Sequence, residues 1–186
     1  MPSPSRPNWF VGLPVPPQRW FAEKVPAPPP GIRRFHADDL HLTVAFLGPV
    51  AEDPARAAFA AIRWPLPALT VTLGPVVPMG RRYSALSALI EQGRAAVEAA
   101  IGCVRDAACL AAGAPCETRP PKAHVTVARP QRHATVAERA AGLRWAQQVE
   151  LARVEFTLAR VALYSWAEDR RERQFRIVDC RDLAPS

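Results

Sequence analysis

Four histidines occur in the 186 residues, and three of them, His41, His124 and His133, are followed two positions on by threonine, the first two in the apolar runs "HLTVAFLG" (41–48) and "HVTVARP" (124–130). With seven threonines in the chain, a histidine meets Thr at that offset by chance at about 4%, so repeated hits among four histidines are an improbable accident. His36 lacks the pattern, and His133 with Thr135 has it in "QRHATVAERA" (131–140), which reads as the start of a helix rather than as a strand. The residues flanking His41 and His124 are apolar and often β-branched, which predicts strands. Alternation along a strand then places His41 with Thr43, and His124 with Thr126, on one face each. Leu40, Leu42 and Val44 back the first pair, and Val125 and Val127 the second.

A phosphodiester displacement needs one group to take a proton from the nucleophile and another to give one to the leaving oxygen. An imidazole with an unperturbed pKa of about 6.5 does either at neutral pH. Threonine hydroxyls donate to the non-bridging oxygens where charge builds. Two such faces opposed across a groove carry this chemistry without a metal, although the residues alone do not say which histidine gives and which takes. No metal or cofactor is expected. No carboxylate stands at a hydrolytic metal spacing beside either histidine, and Cys103, Cys109, Cys116 and Cys180 form no CxxC pair, so they read as free thiols.

The elements that must position these residues are legible in outline. A first strand over 8–16 is stopped by Pro14, Pro16 and Pro17, and a short helix follows through 17–25. Residues 26–34 read as a Pro/Gly-rich loop. After the first histidine strand, Asp53 ahead of Pro54 predicts the cap of a helix over 52–64. Two strands, 68–79 and 81–90, read as a hairpin joined through Met79 and Gly80. The apolar spacing of Val97, Ile101, Val104 and Ala108 predicts a helix over 91–113, ended by Gly113. The second histidine strand is followed by a helix over 134–149 and further strands within 151–167 and 173–180.

Strand, helix, strand, strand thus occurs twice, each time opened by an H-x-T strand. This internal repeat predicts one α+β domain over residues 1–186, built as two βαββ-type lobes whose antiparallel sheets flank a central cleft.

Composition bounds the rest. Half the chain is apolar (49%), which suits a packed core and argues against disorder. Prolines break the N-terminal apolar run before it reaches signal-peptide length, and no later run reaches membrane-spanning length, so a soluble cytoplasmic protein is expected. The net charge of +7 favours a polyanionic partner. Lys24 and Lys122 are the only lysines, leaving 22 arginines, so a general compositional bias accounts for the charge as well as RNA binding does.

Four segments, "FVGLPVP", "LHLTVAFLGPV", "HVTVAR" and "VALYSW", occur in an order that resembles the 2H phosphoesterase superfamily, in particular the RNA 2′,3′-cyclic phosphodiesterases also called LigT-like proteins or 2′-5′ RNA ligases. The resemblance covers nearly the whole chain and implies the bilobal fold just described. It implies that His41 is the proton donor to the leaving ribose oxygen and His124 the acceptor that activates water, with a 2′,3′-cyclic phosphate opening to a 2′-phosphomonoester. Thr43 and Thr126 would hold the phosphate, with Arg129 lending charge or bracing its strand.

Two departures stand out. Lys122 and Ala123 replace the Phe/Pro pair common before the second histidine, and "RRFH" shifts the upstream aromatic to Phe35. Lys122 would face an RNA phosphate or only solvent, Phe35 is a candidate for base stacking, and Phe10 is a candidate for the cleft wall. The expected partner is RNA with a 2′,3′-cyclic end or a small cyclic nucleotide, for a monomer with no obligate protein partner. Reverse 2′-5′ ligation is allowed by microscopic reversibility. A non-catalytic RNA-binding module is the alternative from a different class.

Overall fold

A computed structural model describes residues 6–16, 19–81 and 83–185. Nine strands and four helices are found among them. The strands are β1 (Trp9–Pro14), β2 (Ile32–Arg34), β3 (His41–Gly48), β4 (Leu69–Met79), β5 (Ala85–Ile90), β6 (His124–Pro130), β7 (Glu155–Leu158), β8 (Arg160–Trp166) and β9 (Phe175–Asp182). The helices are α1 (Arg19–Lys24), α2 (Glu52–Ala61), α3 (Arg94–Ala111) and α4 (Val136–Gln148). Pro17 and Gln18, expected to stop the first strand and open the first helix, lie outside the described residues, as does Arg82 of the expected hairpin.

Two antiparallel sheets form, in the orders β3-β1-β8-β9 and β2-β6-β5-β4-β7. This is the bilobal α+β architecture that the repeat predicts, but the frame of the repeat is displaced. The strands that follow β3 in the chain, β4 and β5, join the sheet of β6, while β8 and β9 return to the sheet of β3. Each motif strand pairs instead with an earlier strand, β3 with β1 and β6 with both β5 and β2. Order along the chain carries no record of which edge a strand will choose.

Local chemistry accounts for the element ends. Ala51, not Asp53, caps α2, and Pro54 falls in the first turn, where no backbone N–H needs an intrahelical partner. Thr135 and Glu138 form a reciprocal capping box on α4, worth about 1 kcal/mol. The β4–β5 hairpin turns over Gly80–Ser84 rather than through Met79 and Gly80 alone, with Gly80 at φ +79° and Tyr83 at φ +56°. One buried apolar cluster unites both sheets, drawing Leu13, Leu42 and Leu163 from one and Ile90, Val125 and Phe156 from the other, together with Val97 and Ile101 of α3. Burying such side chains stabilises by about 1.5–3 kcal/mol each. No described helix is long and apolar enough to cross a membrane.

Candidate active site

β3 and β6 carry the same backbone irregularity. Along β3, Val11 pairs with Ala45 and Gly12 with Thr43, so Val44 bulges without a partner. Along β6, Leu86 pairs with Ala128 and Ser87 with Thr126, so Val127 does the same. A bulge shifts side-chain alternation by one. Val44 and Ala45 therefore both face the core, as do Val127 and Ala128. The residue five positions after each histidine, Phe46 or Arg129, is thereby brought to the histidine's face. Phe46 is 56% exposed there and lines a cavity of about 460 Å³ with Thr43, Ser84, Lys122 and His124.

The two imidazoles are oriented alike. His41 Nδ1 lies 2.6 Å from the Asp39 carbonyl oxygen, and His124 Nδ1 lies 2.6 Å from that of Lys122. A carbonyl only accepts, so each ring carries its proton on Nδ1 and keeps the Nε2 lone pair for chemistry. The rings are close enough for a charge on His124 to oppose one on His41.

Their surroundings differ. His41 packs among aromatic rings, 4.6 Å from Phe10, 5.2 Å from Tyr164 and, edge to face, 5.4 Å from Phe175. Burial in that cage brings its pKa down to about 4, with His124 adding to the fall against the Asp39 hydrogen bond. His124 is also held below its ordinary value, by burial and by the Lys122 charge, against the pull of its carbonyl hydrogen bond. Thr43 stands opposite Gly12, where a Cβ would lie 2.8 Å from the Leu42 carbonyl and 3.5 Å from the His41 ring. Thr126 stands opposite buried Ser87 and shares a 3.0 Å hydrogen bond with its hydroxyl.

Asp39 ties His41 to the β8–β9 loop. Its carboxylate is 1% exposed and accepts from the backbone N–H of Gln174 (2.6 Å) and of Phe175 (3.0 Å), while its carbonyl holds the imidazole. Arg129 donates to the Gln174 side chain and lies 5.3 Å over the Phe35 ring. Arg129 is thus tied to the β8–β9 loop through Gln174, and its guanidinium covers a face of Phe35, which is only 8% exposed. Phe10 is 3% exposed and stacks on Tyr164, so it supports His41 from below. Lys122 precedes β6 yet lines the cleft.

The fold therefore brings together His41, Thr43, His124 and Thr126, and sets Arg129 toward the β8–β9 loop. Asp39, Phe46, Ser87, Tyr164 and Phe175 escape the sequence reading. The bulge had a signal, since "TVAF" and "TVAR" each place two small apolar residues in succession where strict alternation wants one. Among the described residues, no group of three or more His, Cys, Asp or Glu converges as a metal site would require.

Two lobes that present paired H-x-T faces to one cleft define a two-histidine phosphoesterase type of fold. The family model described as the 2′-5′ RNA ligase superfamily matches residues 16–170, and the chain belongs to that superfamily. Solved structures agree on the fold. LigT of E. coli, complexed with 3′-AMP, is 21% identical with a TM-score of 0.68, over 96% of this chain and 99% of that one. Usb1 of Kluyveromyces marxianus is 12% identical with a TM-score of 0.56, over 99% and 100%. A structure described only as a phosphoesterase gives 21% and 0.70, over 96% and 99%. No curated protein sequence matches the chain.

Proposed function

We propose that this phosphoesterase-family protein hydrolyses a terminal RNA 2′,3′-cyclic phosphate to a 2′-phosphomonoester, with no metal required. Water attacks phosphorus as His124 Nε2 takes its proton. The P–O3′ bond breaks as His41 Nε2 delivers a proton to the leaving oxygen. The Thr43 hydroxyl, which has no protein hydrogen-bond partner among the described residues, donates to a non-bridging oxygen, and Thr126 assists from the other lobe. A 5′-hydroxyl in place of water gives the reverse 2′-5′ ligation.

One observation carries this reading: two imidazoles in one electrostatic neighbourhood, each with Nδ1–H fixed by a carbonyl two residues back and Nε2 left for proton transfer. LigT, a structural neighbour, was solved with 3′-AMP, which supports a nucleotide substrate.

The protein's own surroundings oppose the donor role of His41, because His41 is the more strongly depressed of the two. A bound phosphate anion favours the imidazolium form of both rings. Two pH profiles follow. The kcat/KM profile reports the free protein and peaks below pH 6.5, the ordinary histidine value from which both groups are lowered. The kcat optimum reports the complex and lies at higher pH.

The direct test is incubation in EDTA with a short RNA ending in a 2′,3′-cyclic phosphate, beside His41→Ala and His124→Ala. A 2′-phosphate product that vanishes in both variants supports the mechanism. Absence of product from RNA and from small cyclic nucleotides overturns it in favour of a binding module. Turnover of a cyclic mononucleotide as fast as of RNA assigns the site to a small-molecule substrate instead.

A further inference from the structure

Ser84, in the β4–β5 turn, lines two cavities. One is the cleft lined by Thr43 and His124, and the other is a basin of about 740 Å³ whose lining includes Arg33, Arg129, Arg132 and Arg171. Four of its seven lining residues are arginines and none is acidic. They come from separate segments, Arg33 from β2, Arg129 from β6, Arg132 from the turn after β6, and Arg171 from the β8–β9 loop.

This positive charge is gathered at a cost to the fold. Arg33 and Arg129 face each other directly in the β2–β6 ladder, a cross-strand pairing of like charges that disfavours the sheet. The Arg129 guanidinium is held below its usual range by burial and by the neighbouring charges of Arg170 and Arg33. None of the four lining arginines has a salt bridge among the described residues. Asp39, whose charge does favour that of Arg129, spends its oxygens on the backbone N–H groups of Gln174 and Phe175. Arg33 donates to the carbonyls of Arg170 and Arg171 (2.9 and 2.8 Å), which fastens the segment that carries Arg171 beside the basin. Arg132 and Arg171 are exposed, and their guanidinium groups have no partner among the described residues.

We propose that this basin is a second phosphate subsite, which takes a backbone phosphodiester of the RNA strand whose cyclic end lies between the histidines. It rests on the RNA reading above and extends it to the body of the substrate. His124 and Arg129 are five residues apart on one strand, about 16 Å at about 3.3 Å per residue. A mononucleotide with its phosphate at the histidines falls short of that distance, and an oligonucleotide spans it. The basin therefore acts through affinity for long substrates and leaves the chemistry at the cyclic end untouched.

The test uses Arg132→Ala, Arg171→Ala and the double variant, all at exposed positions outside the histidine cleft. Binding of a labelled oligoribonucleotide with a 2′-phosphate end is followed by fluorescence anisotropy across a salt series, and kcat/KM is measured on a 2′,3′-cyclic mononucleotide. Each substitution is expected to weaken RNA binding several-fold at low salt and to flatten the slope of log K against log salt by about 0.7, the share of one single-strand phosphate contact. The mononucleotide kcat/KM stays at the parent value. Unchanged RNA affinity and slope overturn the subsite, as does an equal loss on RNA and mononucleotide. The binding arm needs no turnover, so a parent protein that hydrolyses nothing, yet binds RNA with a slope these variants flatten, sinks the catalytic reading and upholds the basin.

Discussion

β3 and β6 carry the same device, a histidine pinned through Nδ1, a threonine two residues on, and a bulge that turns the sixth position onto the same face. Around β3 the company is aromatic, with Phe10, Tyr164 and Phe175 enclosing His41, Gly12 leaving room for the Leu42 carbonyl and the His41 ring, and the Asp39 carboxylate locking the β8–β9 loop. Around β6 it is polar, with Lys122 beside His124 and Ser87 holding Thr126. Pseudo-symmetry supplies two equivalent imidazoles, and the neighbours make them different acids. In the protein alone the lower value falls on His41, the reverse of the order a proton donor wants, so the division of roles rests on the phosphate that both rings would face.

The sharpest way to break this comparison is to remove each histidine. His41→Ala and His124→Ala are each expected to lower kcat by about 10² to 10⁴, and the double variant to do no worse than the poorer single one. A nitrophenyl phosphodiester, whose leaving group needs no proton, should restore turnover to His41→Ala alone. Equal rescue of both variants, or rescue of His124→Ala alone, would reverse or erase the division of roles.

Asp39→Ala tests the aromatic side. It leaves two backbone N–H groups buried without a partner and is expected to cost about 3 kcal/mol of stability, lowering Tm by about 6–12 °C, with a fall in kcat as Phe175 leaves the imidazole. Lys122→Ala on the polar side should cost under about 0.5 kcal/mol, since the His124 anchor is a backbone carbonyl, and should raise the His124 pKa by removing a like charge. Thermal melts and NMR titration of the imidazoles separate the two.

The pH dependence of folding sharpens the same contrast. His41 has a folded pKa of about 4 against an ordinary 6.5, so the unfolded chain binds more protons between those values. Stability therefore falls as pH drops from 6.5 toward 4, by up to about 3 kcal/mol from this residue. His41→Asn should flatten that acid limb in denaturant melts, and His124→Asn should flatten it less.

The threonines give the smallest effects. Thr126→Val strands the Ser87 hydroxyl in a buried position and is expected to cost about 1–2 kcal/mol of stability. Thr43→Val, opposite Gly12, should leave stability within about 0.5 kcal/mol and lower kcat about tenfold. Equal stability losses at the two positions would mean that the partner across the strand is irrelevant.

Local pattern made the motif strands and α3 legible, because alternation and helical spacing are properties of neighbours in sequence. The displaced frame of the repeat was hidden, since β3 and β8 come together only through β1 and nothing within either strand names that neighbour. Period-two counting placed His41 and Thr43 correctly and would have sent Phe46 and Arg129 to the wrong face, because a bulge belongs to a pair of strands. Arg129 came instead from the family resemblance. Asp39 and Ser87 were silent for a related reason: each matters through a partner, Gln174 or Thr126, that lies far away in the chain.

The return of β8 and β9 to the first sheet also governs how this protein comes apart. Gly12 and Ala162, 150 residues distant in sequence, are ladder partners, so the sheet that holds His41 closes only when the two ends of the chain have met. Such long-range pairing slows folding, and with one core shared between the sheets it leaves neither lobe a separate melting unit. Amide exchange in β3 and in β6 should then report a single opening free energy. The gap between the two imidazoles is held by the cooperativity of the whole molecule, and it fails only when everything does.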